Sequence, residues 1–117
     1  EFHNHSYLAA AASGGVAAPT AMINVIARAA AGPQTLRDSM RAPRTHYAGV
    51  PDKVFVEADM PNDIVDGLRK LGHDVAVTES IGRAVVVYCP SGIPNDKGVQ
   101  CNSAAERRGH GIALGGN

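Results

Sequence analysis

The sequence has no excess of charge of either sign, because 11 lysine and arginine residues balance 11 aspartate and glutamate residues. This balance removes the main electrostatic argument for a nucleic acid or an anionic membrane as a partner. Long apolar runs are also lacking, and none reaches the roughly 18 residues that a bilayer span requires. The sequence therefore predicts neither nucleic-acid binding nor a membrane span.

Cysteine is scarce, with Cys89 and Cys101 as the two examples. Two cysteines do not make a disulfide framework, and their spacing is not that of a metal site. Both are expected on neighbouring strands, where a single bridge would require close Cα atoms, which a sequence does not show. The redox compartment stays undecided. His3 and His5 lack a third ligand, so we expect solvated histidines rather than a metal site.

The sequence does contain enough apolar material for a folded state, at 44% of its 117 residues. This length suits one domain or part of one, with a modest core. No internal repeat or low-complexity linker divides it. The first residues, EFHNH, are neither an initiator methionine nor a signal peptide. We therefore expect the chain to begin after a cleavage or at another boundary.

The first half of the chain predicts one strand followed by helices. Residues 8–12 (LAAAA) predict a buried strand that ends in a tight turn at residues 13–15 (SGG). Pro19 suits the first turn of a helix, and Gly32, followed by proline, ends it. A second short helix is predicted over residues 34–40.

The second half predicts strands around one further helix. Apolar residues at i, i+1, i+4 and i+7 predict a helix that opens at Pro61 and ends at Gly72. Turn residues at 90–98 predict a hairpin, and the glycine-rich tail at 109–117 is either an edge strand or a loop. The predicted strands cover residues 53–57, 75–77, 84–88 and 99–103. This mixture predicts an α+β or αββα layered fold.

Four stretches, in order, resemble the end of the γ-glutamyltransferase (glutathione hydrolase) family. They are residues 12–15 (ASGG) with the helix after them, residues 41–57 beginning RAPRTHY, residues 61–73 ending in Leu-Gly-His, and residues 82–85 (GRAV) with Arg107, Arg108 and the glycine-rich end. No single stretch is specific. Their order and spacing together are specific, and they cover residues 8–116.

This resemblance implies an α+β chain that is part of an N-terminal-nucleophile hydrolase αββα sandwich. Such enzymes are made as a precursor that cuts itself into two chains. Residues 1–117 would be the C-terminal portion of the small, catalytic subunit, incomplete without the large-subunit chain or the upstream part of the small subunit. The family is mostly periplasmic or extracellular, whereas biosynthetic members work in the cytoplasm, so the localisation stays open.

The family's reaction requires an N-terminal threonine, whose hydroxyl attacks the γ-glutamyl carbonyl while its free amine serves as base. This chain begins with Glu1, so the nucleophile is expected on another segment. Its threonines are all internal, at Thr20, Thr35, Thr45 and Thr78. The implied reaction is γ-glutamyl transfer or hydrolysis of a small-molecule substrate through an acyl-enzyme, with no metal or organic cofactor.

Gly14 and Gly15 match the family's glycine pair, whose backbone N–H groups face the tetrahedral oxyanion. Glycine suits this role because two consecutive N–H groups must converge on one point, which requires unusual backbone angles and no Cβ in the way. Ser13, beside them, is a candidate substrate-binding residue. Without the resemblance, the pair would indicate only a strand-to-helix turn. Val16 stands where many members carry serine or arginine, which leaves the substrate open.

Several charged or polar residues have plainer interpretations. Arg44 is expected in a buried or interfacial ion pair rather than on substrate. His46 belongs by match to a structural segment and is not expected to be a general base. Arg107 and Arg108, near Glu106, are expected to form a solvated charged end. The family has Asp-Pro before this arginine pair, and the change here is expected to affect packing.

Two other functions stay open. One is a family member with altered chemistry, such as an acylase acting on cephalosporin side chains, a poly-γ-glutamate depolymerase or a hydrolase of antibiotic biosynthesis, and Val16 leaves room for these. The other is a degenerate, non-catalytic homologue that serves as a partner or scaffold. The upstream segment discriminates them, because catalysis requires an N-terminal threonine there and the glutamyl reaction also requires groups that bind an α-amino acid.

Overall fold

A computed structural model describes residues 6–90, 92 and 101–113 of the protein. Its strands are β1 (Tyr7–Ser13), β2 (Thr45–Tyr47), β3 (Val54–Glu57), β4 (Val75–Thr78), β5 (Arg83–Cys89) and β6 (Asn102–Ser103). Its helices are α1 (Ala18–Ala31), α2 (Leu36–Arg41) and α3 (Asn62–Lys70), with a 3-10 turn at Gly15–Ala17 between β1 and α1. The strands form a first sheet, ordered β1–β5–β6, and a second sheet, ordered β2–β3–β4.

In the first sheet, β5 lies between β1 and β6 and is antiparallel to both. Burial alternates along β1 and β5, because successive side chains of a strand point to opposite faces. Leu8, Ala10 and Ala12 of β1 pack on the core. The opposite face is open, with Val85 and Val87 65% and 42% exposed. The strand predicted to be buried at residues 8–12 is therefore covered on one face only.

Helix α1 covers the closed face of the first sheet. Pro19 lies in its first turn, where the missing N–H of proline removes no hydrogen bond. Gly32 ends the helix and donates its N–H to the carbonyl of Arg28 at 3.1 Å, so both predicted boundaries are confirmed. The core between helix and sheet consists of Val25, Leu36, Met40, Ala84, Val86 and Ala104, with Leu8, Ala10, Ala12, Ala29 and Tyr88 packed against it.

Helix α2 begins two residues later than predicted. The hydroxyl of Thr35 accepts the N–H of Asp38 at 3.1 Å, which caps the helix and fixes its start. The helix contributes the buried side chains of Leu36 and Met40 to the core.

The second sheet combines an antiparallel pair with a parallel one. Strand β2 runs antiparallel to β3, and β3 runs parallel to β4 through the crossover helix α3. Helix α3 follows Pro61 directly, and Gly72, at φ +91°, takes the left-handed conformation that commonly ends a helix. The predicted helix and the two predicted strands around it are confirmed.

Helix α1 also holds the second sheet. The side-chain amide of Asn24 accepts the N–H of Thr45 at 3.3 Å and donates to the carbonyl of Thr45 at 3.0 Å. The Oγ1 of Thr20 lies 2.9 Å from the Nδ1 of His46, the next residue of β2. These bonds join α1 to the second sheet, while its apolar side packs on the first.

The C-terminal part returns to the first sheet. Strand β6 covers two residues of the predicted strand at 99–103, and residues 99 and 100 lie outside the described residues. Cys101 and Cys89 form a disulfide with Cα atoms 4.1 Å apart. Residues 109–113 form turn and irregular structure rather than a strand. Within the described part of the chain, no helix is long and apolar enough to cross a membrane.

Candidate functional site

The turn after β1 consists of two glycines in the left-handed half of conformational space. Gly14 has φ +124° and Gly15 has φ +60°, angles that residues with a Cβ rarely adopt. Both glycines are exposed. Among the described residues, no carbonyl or side chain accepts a hydrogen bond from the N–H of either one. The turn therefore offers two consecutive backbone N–H groups that have no acceptor among the described residues.

The turn lies at the start of the short 3-10 segment that leads into α1. The N–H of Ala17 donates to the carbonyl of Gly14 at 3.2 Å, which closes the segment. Neither this segment nor α1 carries an acidic residue in its first turn, so the positive end of the helix dipole is not neutralised there. Val16 is 78% exposed beside the glycines.

A third glycine, Gly82, packs directly against the turn. A Cβ built on Gly14 would lie 2.8 Å from the Cα of Gly82, so the two backbones are in contact. A Cβ built on Gly82 would lie 2.8 Å from the Cβ of Ala21 in α1. Only glycine therefore fits at positions 14 and 82. This contact holds the turn in place between β5 and α1.

Four charged side chains form a buried cluster behind this contact, which we call the ion cluster. Its members are Arg44, Glu57, Glu106 and Arg108. Arg44 is fully buried and bonds Glu106 at 2.7 Å, which confirms the expected ion pair. Arg108 bonds Glu57 through Nε and Nη2, and its Nη1 lies 2.9 Å from Glu106.

The expectation of a solvated charged end at Arg107 and Arg108 is wrong for Arg108. Its side chain is 3% exposed, because residues 107–110 turn back over the carbonyls of Met40 and Ala42, to which Arg108 donates at 2.9 Å each. Arg107 is 38% exposed and pairs with Asp59 at 2.8 Å. The sequence places these groups up to 64 residues apart, between Arg44 and Arg108, so only the tertiary structure brings them together.

The pKa of each carboxylate in the ion cluster is held below its ordinary value. Burial alone would raise the pKa of Glu57, but hydrogen bonds from Arg108 and from the N–H groups of Ile81 and Arg44 outweigh it and hold that pKa below its ordinary value. Burial acts on Glu106 in the same way, and bonds from the N–H of Ala84 and from Arg44 and Arg108 lower its pKa.

The ion cluster is bonded to the segment that carries Gly82. Arg44 donates to the carbonyls of Ile81 and Gly82 at 3.2 Å each. Glu57 accepts the N–H of Ile81 at 2.8 Å, and Glu106 accepts the N–H of Ala84 at 2.8 Å. A continuous chain of contacts therefore runs from the buried charges through Gly82 to the glycine turn, a connection that sequence reasoning missed.

The remaining candidates lie apart from this cluster. Ser13 ends β1 at the mouth of a cleft of about 360 Å³ that Arg83 and His110 also line. His46 is 91% buried against α1 and bonds Thr20, in keeping with the structural role expected of it. His3 and His5 lie outside the described residues. Elsewhere, no group of three histidine, cysteine or acidic side chains is arranged to hold a metal ion in the part that the structure describes.

The fold has well-matched counterparts among solved structures. The T380A mutant of Helicobacter pylori gamma-glutamyltranspeptidase superposes with a TM-score of 0.77 at 24% identity, over 88% of this chain and 54% of that one. The Bacillus anthracis transpeptidase enzyme CapD gives 0.73 at 15% identity, over 94% and 64%. Cephalosporin acylase from Bacillus halodurans gives 0.69 at 23% identity, over 85% and 18%. These likenesses define the class: an α+β part of the N-terminal-nucleophile hydrolase fold.

The gamma-glutamyltranspeptidase family model matches residues 2–116. The chain therefore belongs to the gamma-glutamyltranspeptidase family, as its four sequence stretches predicted. No curated protein matches it in sequence. The chain spans about half the length of the first gamma-glutamyltranspeptidase chains that it matches, 53% and 54%.

Proposed function

We propose that this chain is the C-terminal portion of the catalytic subunit of a γ-glutamyltransferase-like hydrolase, and that Gly14 and Gly15 form its oxyanion hole. One observation carries the proposal: two consecutive N–H groups of exposed glycines, without acceptors among the described residues, at a left-handed turn in a chain of this family. Donors fixed in this way stabilise the charge that develops on a carbonyl oxygen during acyl transfer.

The reaction follows from that geometry and from a nucleophile outside this chain. An N-terminal threonine on the upstream segment attacks the carbonyl carbon of a γ-glutamyl or related acyl group. The carbonyl oxygen becomes an oxyanion between the two glycine N–H groups, and the amine leaves with the proton of the threonine hydroxyl. Water or an amine then attacks the threonine ester and restores the hydroxyl. The upstream segment and the large subunit are the proposed partner chains.

The test compares two glycine substitutions with the same backbone strain in the intact protein that contains this chain. Gly15 and Gly49 have φ +60° and +83°, and a Cβ at either one would meet no atom within 4 Å. Alanine at each position therefore costs about 1–2 kcal/mol of left-handed strain without a clash. We expect Gly15→Ala to lower kcat for hydrolysis of a γ-glutamyl-anilide by about 10²-fold, because relaxation of the left-handed strain would turn one N–H donor away from the oxyanion, and Gly49→Ala to leave kcat unchanged. An equal effect of both variants would contradict the oxyanion role.

A second candidate function is acyl transfer with a less polar acyl group. Val16 favours it, because this exposed apolar side chain lies beside the glycine turn. The cephalosporin acylase among the matched structures shares the fold. Comparison of a γ-glutamyl-anilide with a glutaryl-anilide, which lacks the α-amino group, decides between the two. N-terminal sequencing of every chain of the purified protein tests both at once, because a non-catalytic homologue would have no chain that begins with threonine.

A further inference from the structure

An open cleft of about 360 Å³ lies at the end of the first sheet beside the glycine turn. Ser13 and Arg83, which pair across β1 and β5, line it. His110 and the glycines on either side of it also line it. Nothing in the reaction proposed above uses Arg83 or His110.

Among the described residues, one hydrogen bond anchors the Arg83 side chain. Its Nε donates to the carbonyl of Arg108 at 3.0 Å, and its Cδ lies 3.4 Å from where a Cβ of Gly109 would be. Both Nη groups have no hydrogen-bond acceptor within the ranges that the structure describes. The guanidinium therefore has a fixed stem and a free edge, and that edge matches a carboxylate with two parallel hydrogen bonds.

The acid that borders the cleft does not neutralise this charge. Glu106 Oε2 accepts from Arg44 and from the N–H of Ala84, and its Oε1 accepts from Arg108. Its charge is thus balanced inside the ion cluster. The Arg83 guanidinium is the uncompensated charge among the described residues that line the cleft, and the imidazole of His110 adds a ring nitrogen that can donate a hydrogen bond.

We propose that Arg83, supported by Ser13 and His110, binds the carboxylate of the leaving or accepting amine, a short peptide or amino acid. This assignment rests on the proposed function and extends it to the second substrate. Ser13 precedes Gly14 by one residue, and Cβ atoms paired across strands lie about 5 Å apart. A dipeptide spans about 7 Å from its amine to its carboxylate. Its amine can thus face the carbonyl held at the glycine turn while its carboxylate lies on Arg83.

The same contact serves both directions of amine transfer. In the forward direction the C–N bond of the donor breaks and the peptide amine leaves with a proton from the threonine hydroxyl. In transfer, the neutral amine of an acceptor attacks the threonine ester, the C–O bond breaks, and the amine proton returns to the threonine oxygen. No other reactant is needed, and the carboxylate on Arg83 stays ionised throughout.

The test uses three donors with the intact protein: γ-glutamyl-glycylglycine, its C-terminal amide and a γ-glutamyl-anilide. We expect the wild-type protein to favour the free carboxylate over the amide in kcat/KM by about ten-fold, the size of one exposed charge-assisted contact. Arg83→Gln should lower kcat/KM for the free carboxylate to the level of the amide, whereas Arg83→Lys should keep part of the preference. The matched control is Arg69→Gln, which removes an exposed arginine from α3.

The outcomes separate this inference from the proposed function. If the protein hydrolyses the anilide but wild type does not prefer the free carboxylate, the Arg83 assignment is wrong and the catalytic proposal stands. The same holds if wild type has the preference and Arg83→Gln does not change it. If no donor is hydrolysed, calorimetric titration with glycylglycine and with its amide tests the site. Binding of glycylglycine to wild type that is lost in the Arg83→Gln variant supports the site. If the Arg83→Gln variant keeps the kinetic and binding preferences of wild type but is less stable, Arg83 pairs with a protein carboxylate and the proposal is wrong.

Discussion

Glu57 accepts hydrogen bonds from three separate parts of the chain within the ion cluster. Its carboxylate accepts the N–H of Arg44 at 2.9 Å and that of Ile81 at 2.8 Å, besides two bonds from Arg108. Its side chain is 1% exposed. A buried charge in such a setting is tolerated because each of its oxygens has a donor. Loss of that charge therefore affects backbone segments from three parts of the chain.

We expect Glu57→Gln to lower the free energy of unfolding of the intact protein by about 3–5 kcal/mol. The amide removes the negative charge that compensates Arg108, and a buried cation left without its partner is costly. Denaturant titration followed by circular dichroism measures the loss. The matched control is Asp66→Asn, which breaks the exposed Asp66–Arg69 pair and should change stability by about 0.5 kcal/mol or less. Similar losses in the two variants would contradict the special role of the buried carboxylate.

The depressed pKa values of Glu57 and Glu106 determine how stability depends on acidity. A carboxyl whose pKa is lower in the folded state contributes stability that is complete above its unfolded pKa, about 4.3. That contribution is lost as the pH falls through the folded pKa, which lies below the unfolded value for both groups. We expect the contribution of these two groups to the free energy of unfolding to be constant from neutral pH to about pH 5 and to fall at lower pH.

Urea titrations between pH 3 and pH 7 test this pH dependence. The Glu57→Gln variant should show a smaller fall in stability below pH 5 than the wild-type protein, because one of the two linked protons is missing. A variant that shows the wild-type slope would mean that other carboxyls cause the acid sensitivity.

At the scale of elements, Gly82 decides how β5 meets the glycine turn and α1. It has φ +59°, and a Cβ there would lie 2.8 Å from Ala21 Cβ and 3.1 Å from the carbonyl oxygen of Ala17. The start of the strand, the turn and the helix thus approach each other closely at Gly82, where there is no room for a side chain. Arg44 and Glu57 bond the segment on either side of this point, so the buried charges and the glycine contact act on the same backbone.

We expect Gly82→Ala to destabilise the intact protein by about 2–4 kcal/mol, the sum of left-handed strain and overpacking against Ala21. Gly67→Ala is the matched control, because Gly67 lies within α3 and a Cβ there meets no atom within 4 Å. Alanine at that position should stabilise the helix by about 0.5–1 kcal/mol. Thermal unfolding of both variants measures the two opposite changes, and a neutral Gly82→Ala would rule out the close three-way contact.

At the scale of the whole molecule, the first sheet has one covered and one open face. Helix α1 and the core lie on one side, whereas Val85 and Val87 on the other are 65% and 42% exposed. An apolar sheet face of this kind is typical of a surface that packs against another layer. In the αββα sandwich of this fold class, a second sheet occupies that position. We propose that the partner chain supplies it.

We expect Val87→Asp to prevent stable assembly of the intact protein, because a charge would be buried between two sheets without a partner. Size-exclusion chromatography and co-purification of the chains measure the loss. Leu71→Asp is the control, since Leu71 is 77% exposed at the end of α3 and lies outside the first sheet. Normal assembly of the Val87→Asp variant would show that this face stays open in the complete protein.

The sequence by itself determined the local elements and the family. Pro19 and Gly32 predicted the bounds of α1, and the apolar stripe between Pro61 and Gly72 predicted α3, because caps and periodicity depend on neighbouring residues only. The four family stretches, found in order, predicted the α+β part of an N-terminal-nucleophile hydrolase that the comparisons show. Gly14 and Gly15 were singled out from that resemblance, and their oxyanion role stays a prediction.

The tertiary structure alone decided which distant residues meet. Arg108 was expected in solvent, yet it is buried with Glu57, which lies 51 residues away along the chain. The contact of Gly82 with Gly14 and the single covered face of the first sheet were likewise not predicted. Burial and ion pairing depend on how separate segments pack, and a local pattern of residues carries no record of which segment will lie across from it.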